Sequence, residues 1–212
     1  SRYRGVPEQR RECLERMLVR LERYFSHARR RPGLFKLINA AGSWLAGLCL
    51  GLAQSDLVAD LLSHQPSLAE GIAIAAAKSL EPGQWEKTSE KILASVGDLE
   101  SALEWIRRLK NERLLQVAVA DLNGEFSQEQ SEYALSELAD FVIRQTYRWI
   151  REERGLPEDL PLVVVGLGKL GSREMNYLSD LDLVFVYRAP DTDDSGQIPL
   201  EVVRFIQRLM RM

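Results

Sequence analysis

The segment Pro161–Tyr187, "PLVVVGLGKLGSREMNYLSDLDLVFVY", sets three glycines, a Gly-Ser pair and two aspartates one residue apart between two short apolar runs. Leu162–Val165 and Leu183–Tyr187 are rich in β-branched and aromatic residues and read as strands. Gly166, Gly168 and Gly171 satisfy the spacing G-x-G-x-x-G behind the first strand, and Asp191 lies about 20 residues further on, as a dinucleotide-binding turn asks. That turn also needs a crossover of about a dozen residues or more before the chain can return as a parallel strand. Only "SREMNYLS" separates Gly171 from Asp180, room for about two helical turns, and Asp191 sits in the polar stretch "APDTDDSG". A dinucleotide-dependent oxidoreductase therefore demands a long helix after Gly171, and that feature separates it from the other readings.

Asp180 and Asp182 carry more information than the glycines. Residues two apart in a strand project to the same face, about 7 Å apart along the backbone, so their carboxylates can converge on divalent cations. The order is an apolar strand, a Gly-Ser turn into a short helix, and then the acids at the entrance of a second strand. This layout suits nucleotidyl transfer, in which a triphosphate needs cations and exposed backbone amides. Gly171 allows close backbone approach and Ser172 adds a hydroxyl donor. Metals at Asp180 and Asp182 would align the attacking oxygen and neutralise charge on the pyrophosphate leaving group. Lys169 and Arg173 are candidate phosphate contacts, although a solvated cation is the commoner role for either.

Upstream, the apolar spacing is helical through about residue 155. Cys13, Leu14, Met17, Leu18, Leu21, Tyr24 and Phe25 recur at three and four. Pro32-Gly33 breaks that pattern, and further helices are expected over Leu34–Leu52, from Ser55-Asp56 to "SHQPS", over Leu68–Leu80 and over Trp85–Ala94. Asp98 is placed to cap the next helix, which carries Leu103, Ile106, Leu109 and Leu114 and stops at Asn123-Gly124. Ser127 with Gln130 forms a capping box for a long helix through Trp149, with Leu135, Leu138, Ala139, Val142 and Ile143 on one face. The four tryptophans read as packing residues. "EERGLPEDLP" is a shift in composition and marks a boundary, and "IPLEVVRFIQRLM" reads as an amphipathic helix through Val202, Phe205, Ile206 and Leu209.

The 212 residues are 45% hydrophobic and 28% charged, enough for one large or two small cores. No window approaches the roughly 18 uninterrupted apolar residues of a membrane span. A net charge of −3 argues against a broad nucleic-acid surface, and the Arg29-Arg30-Arg31 run is only a local cation cluster. The arginine-rich start carries acids and no apolar core, so it does not read as a secretory signal, and a cytoplasmic protein is expected. Cys13 and Cys49 lack metal or disulfide spacing and read as neutral thiols. A start at Ser1 and an end inside a helical pattern suggest a fragment of a longer protein.

At the residues quoted first, the sequence resembles the glutamine synthetase adenylyltransferase/adenylyl-removing family of the nucleotidyltransferase superfamily. The family stretch reads approximately Gly-x-Gly-Lys-Leu-Gly-Gly-x-Glu-Leu-x-x-x-Ser-Asp-x-Asp-Leu. This chain carries Gly166, Gly168, Lys169, Leu170, Gly171, Glu174, Ser179, Asp180, Asp182 and Leu183 at those places, and departs at Ser172 and Met175. "LEWIRRLKNERLLQVAVADLNGEFSQEQSEYALSELADFVI" is similar to the helical lead-in of the same family.

The resemblance implies an α+β fold, mostly α: a helical domain over residues 1–155 and the N-terminal part of a mixed-sheet nucleotidyltransferase core over 156–212. It implies Asp180 and Asp182 for catalysis and metal, and Lys169, Gly171, Ser172 and Ser179 for the nucleotide. It further implies ATP, magnesium, glutamine synthetase as the protein substrate, and the PII signalling protein with glutamine as regulators.

The family holds two modules, one attaching AMP and one removing it by phosphorolysis. The lead-in looks more like the attaching module, whereas "REMNYLSD" looks like the removing one. The superfamily's third carboxylate comes from a later strand, and no acid between Asp191 and Met212 is placed on one, so the chain by itself is expected to be inactive. A non-catalytic interaction module also stays open; it predicts no nucleotide binding.

Overall fold

The computed structural model describes residues 8–28, 43–69, 84–189 and 198–211. The elements are α1 (Glu8–Ala28), α2 (Ser43–Gln54), α3 (Asp56–His64), α4 (Gln84–Leu93), α5 (Leu99–Leu122), α6 (Gln128–Glu153), β1 (Leu162–Gly166), α7 (Gly168–Ser172), β2 (Leu183–Tyr187) and α8 (Leu200–Leu209). The architecture is mostly helical with a small antiparallel sheet, the expected α+β class. The Arg29–Arg31 run, residues 34–42, most of the expected Leu68–Leu80 helix and the loop around Asp191 lie outside the described residues. Among the described residues no helix is long and apolar enough to cross a membrane.

The chain divides into two compact units. The first holds α1, α2, α3 and residues 111–131; the second holds α4, the first half of α5, α6 from Glu132, both strands, α7 and α8. The composition shift near residue 155 therefore lies inside the second unit.

In the first unit, Ser55 accepts a hydrogen bond from the Val58 N–H at 3.3 Å and opens α3 as its sequence suggests. Arg20 on α1 donates to the Leu52 and Ala53 carbonyls at 2.8 and 3.2 Å and pairs with Asp56, so it satisfies orphan acceptors at the end of α2. Tyr24 is fully buried, and its hydroxyl donates to the Pro66 carbonyl at 3.3 Å. The inward line of α1 runs Cys13, Met17, Arg20, Tyr24. Leu14 and Leu18, expected on the same stripe, are 37% and 55% exposed. The methylene stem of Arg20 takes the inner face instead while its guanidinium reaches the carbonyls, and the buried line passes Leu14 and Leu18 by.

The second unit contains the core that supports the sheet. α5 starts at Asp98, whose carboxylate accepts the Ser101 N–H at 2.9 Å; that bond holds its pKa below the ordinary carboxylate value. In the first unit, which holds the first residues of α6, Ser127 and Gln130 form the reciprocal box at its head, with Ser127 N–H to Gln130 Oε1 at 2.8 Å and Gln130 N–H to Ser127 Oγ at 3.3 Å. Ser127→Ala removes one of these bonds and is expected to cost about 1 kcal/mol of stability, read by urea denaturation. An unchanged midpoint would show that the box carries no stabilising weight.

α5 contributes Leu99, Ala102, Leu103, Ile106 and Leu109 to the buried cluster, α6 contributes Phe141 and Ile150, and α8 contributes Val202, Phe205 and Leu209. Trp85 packs on Phe141 and Tyr147 on Phe205, each pair with centroids 4.9 Å apart. The Tyr147 hydroxyl donates to the Leu162 carbonyl at 3.3 Å, tying α6 to the first strand.

β1 and β2 pair antiparallel in the register Leu162↔Tyr187, Val164↔Phe185 and Gly166↔Leu183. Leu162 is buried and Val164, Phe185 and Tyr187 are half-buried against the helical core, while Val163, Val165, Val184 and Val186 face outward. Side-chain alternation along each strand thus sets one face on the helices and leaves the other exposed.

Candidate functional site

The turn between β1 and α7 is built by its glycines. A Cβ on Gly166 would lie 2.8 Å from Leu170 Cδ2, and one on Gly171 would lie 2.8 Å from the Gly166 carbonyl oxygen. α7 therefore folds back against the end of β1 so closely that no side chain fits between them, and Leu170 is buried beneath it. Gly168 has φ +52°, and a Cβ there would lie 2.6 Å from Asp182 Oδ2. The Asp182 carboxylate thus rests against the bare Gly168 backbone, in a conformation that glycine adopts without cost.

These contacts explain G-x-G-x-x-G without a dinucleotide. α7 ends at Ser172, Arg173 closes it in the left-handed region at φ 65°, and the next strand, β2, is antiparallel to β1. The oxidoreductase reading requires a long helix after Gly171 and a parallel return, and the chain takes neither. The short helix expected behind the Gly-Ser pair lies ahead of it instead, so Gly171 and Ser172 form its last turn. The Gly171 N–H donates to Leu167 O at 3.2 Å, and Ser172 Oγ lies 3.2 Å from Gly168 O and 3.0 Å from Glu174 Oε2.

The two aspartates stand at the mouth of β2. The Leu167 N–H donates to the Asp182 carbonyl at 2.8 Å, which extends the ladder one bond past Gly166↔Leu183 and fixes the backbone of Asp182. Both aspartates are exposed, and neither carboxylate has a hydrogen bond or ion pair among the described residues. Between α7 and the acids, the Asn176 N–H donates to Ser179 Oγ at 2.9 Å and the Ser179 N–H to Asn176 O at 3.1 Å, closing a turn. Ser179 is half-buried and Lys169 is exposed.

Arg173 is not poised for a phosphate. Its guanidinium lies 2.8 Å from Glu137 and 2.7 Å from Asp140 on α6, and 5.9 Å from the Tyr133 ring centroid. Next to it, the Met175 N–H donates to the buried Ser136 hydroxyl at 3.3 Å. The sequence signal for this anchor is the spacing of Tyr133, Ser136, Glu137 and Asp140, which sets all four on one helical face; apolar periodicity does not register it, because three of the four are polar.

Two exposed carboxylates with free oxygens fit a hard divalent cation, which prefers oxygen ligands. Among the described residues no group of three or more His, Cys, Asp or Glu converges to hold a metal by itself. Gly168→Ala is expected to destabilise the protein by about 1–2 kcal/mol, because the left-handed turn now carries a Cβ, and to displace the Asp182 carboxylate as well. Parent-like stability in urea would contradict the turn geometry.

The chain is similar to known proteins over most of its length. A family model, glutamate-ammonia ligase adenylyltransferase, matches residues 45–212. The chain is 30% identical, over 95% of its length, to a bifunctional glutamine synthetase adenylyltransferase/adenylyl-removing enzyme of Thioalkalivibrio sulfidiphilus, covering 22% of that protein. Enzymes of the same description from Neisseria meningitidis serogroup B and Burkholderia mallei are 31% and 34% identical over 83% and 76% of the chain, which covers 20% and 19% of their lengths. The chain thus spans about a fifth of the length of these curated relatives. With a family match that runs through both strands, the glycine turn and the aspartate pair, the chain belongs to the glutamate-ammonia ligase adenylyltransferase family.

Proposed function

We propose that the chain carries the nucleotidyl-transfer site of an enzyme that moves AMP from ATP to a tyrosine of glutamine synthetase and so regulates nitrogen assimilation. The observation that carries this reading is the Asp182 carboxylate resting on the left-handed Gly168, with Asp180 two residues earlier in the chain and both acids unpaired among the described residues. A left-handed glycine whose missing Cβ leaves room for an unpaired carboxylate at the end of a sheet is hard to explain as packing alone, since exposed acids stabilise no core.

In this reading residues 156–212 are the first part of the nucleotidyltransferase core. Asp180 and Asp182 hold magnesium, which when bound supplies positive charge to the phosphates. Gly171, Ser172 and Ser179 line the nucleotide side, and the exposed Lys169 ammonium meets the triphosphate. The tyrosine oxygen attacks the α-phosphorus, the bond to the pyrophosphate oxygen breaks, and the phenol proton passes to solvent or a carboxylate. PII with glutamine as regulators and a cytoplasmic setting belong to the same proposal, as the resemblance implies. The adenylyl-removing module is the second reading, favoured by "REMNYLSD".

The test uses the full-length protein, glutamine synthetase and ATP labelled on the α-phosphate. Magnesium-dependent label on glutamine synthetase is the expected result. Phosphate-dependent release of ADP from adenylylated glutamine synthetase, without forward labelling, would select the removing module. Neither activity would sink the proposal.

A further inference from the structure

The corner that joins α7 to the aspartates is held from outside the sheet. Arg173 adopts a left-handed backbone, unusual for a residue with a side chain, and its guanidinium spans Glu137 and Asp140 at 2.8 and 2.7 Å with Tyr133 beneath it. Two residues on, Met175 is buried, and its N–H donates to Ser136, whose own hydroxyl donates back to Glu132 O at 2.8 Å. Tyr133, Ser136, Glu137 and Asp140 follow one another at three-one-three along α6, so a single face of the helix supplies a ring, a hydroxyl and two carboxylates to one three-residue corner. Two acids one turn apart repel each other, and the guanidinium between them removes that repulsion only while the corner stays docked.

The consequence concerns the site. Beyond the corner the chain reaches Asp180 through the Asn176–Ser179 turn and no regular element, and it is fixed again at Asp182 by the Leu167 bond. The aspartate pair is therefore held from β2 on one side and from α6 on the other. We propose that Arg173 is a positioning residue: it does not touch the nucleotide, but through Glu137 and Asp140 it fixes the corner that sets where Asp180 and Asp182 stand. This rests on the proposed transfer site.

The test uses the full-length protein in the AMP-labelling assay. Arg173→Gly keeps the left-handed backbone, which glycine favours, and deletes only the side chain. Small misplacements of reacting groups cost up to about 100-fold in rate, so kcat is expected to fall about 10- to 100-fold with KM for ATP within about threefold. Arg173→Lys, which retains one charge, is expected to recover part of the loss. Combining Arg173→Gly with Glu137→Gln and Asp140→Asn is expected to be no worse than Arg173→Gly alone, because all three act through one contact. A kcat unchanged in Arg173→Gly, a rise confined to KM, or fully additive losses would each overturn the proposal. The parent and the Asp180→Asn, Asp182→Asn variant run alongside: if that variant keeps full activity the transfer-site reading itself fails, whereas a dead aspartate variant beside a normal Arg173→Gly rejects only the positioning role.

Discussion

Replacing Asp180 and Asp182 together with asparagine is expected to lower AMP transfer by the full-length protein by about 1,000-fold or more, the scale on which charge stabilisation at a reacting centre operates. Asparagine keeps the size and the hydrogen-bonding reach of each side chain and removes only the negative charge, so the comparison isolates what the acids do for a cation. The cost to folding should be small. Both residues are exposed and their carboxylates have no partner among the described residues, while the bond that holds Asp182 in the ladder comes from its backbone carbonyl. An unchanged urea midpoint beside a collapsed rate is the expected pair of results. A rate within a few-fold of the parent would mean that the acids are only a polar entrance to β2.

Phe141→Ala is expected to have the largest effect on stability, about 3–5 kcal/mol. The ring is fully buried, stacks at a tilt on Trp85 with centroids 4.9 Å apart, and belongs to the same cluster as Leu162 at the start of β1 and Phe205 on α8. Its removal takes away apolar area and leaves a void between α4 and α6. Against a total stability of about 5–15 kcal/mol that loss is severe. Three of the four tryptophans, Trp85, Trp105 and Trp149, border this cluster, so tryptophan fluorescence during urea unfolding reports chiefly the unit in which the change is made. A loss below about 1 kcal/mol, as at a surface position, would contradict the packing described.

Local signals in the sequence carry most of the helical reading, because they act over three or four residues. The Ser55, Asp98 and Ser127–Gln130 caps all form as their residue types suggest, and α8 buries Val202, Phe205 and Leu209. What the sequence does not disclose depends on partners distant in the chain. Arg20 takes an inner place on α1 because carbonyls of α2 lie within its reach, and Leu14 and Leu18 are left outside. On α6 the buried line includes Phe141 and the polar Ser136 and Gln145 among the expected leucines, since Gln145 finds Glu90 and Ser136 finds Met175.

The site divides in the same way. The glycine spacing and the Asp-x-Asp pair are visible as a pattern, and the short linker already speaks against a parallel crossover. The contact of Asp182 with Gly168 and the docking of Arg173 on α6 are not visible, because each joins residues that only the folded turn brings together. With α7 ahead of Gly171, the Gly-Ser pair becomes a helix end instead of a helix start, a difference of a few residues that periodicity cannot resolve in so short an element.

Calorimetric titration of ATP with magnesium into the full-length protein, set against the Asp180→Asn, Asp182→Asn variant and against ATP with EDTA, tests the account most directly. Binding that needs both the metal and the two acids is the predicted result. Binding that survives the double change and the chelator, or no nucleotide binding by the parent, would contradict the assignment of Asp180 and Asp182 as the centre of a nucleotidyl-transfer site.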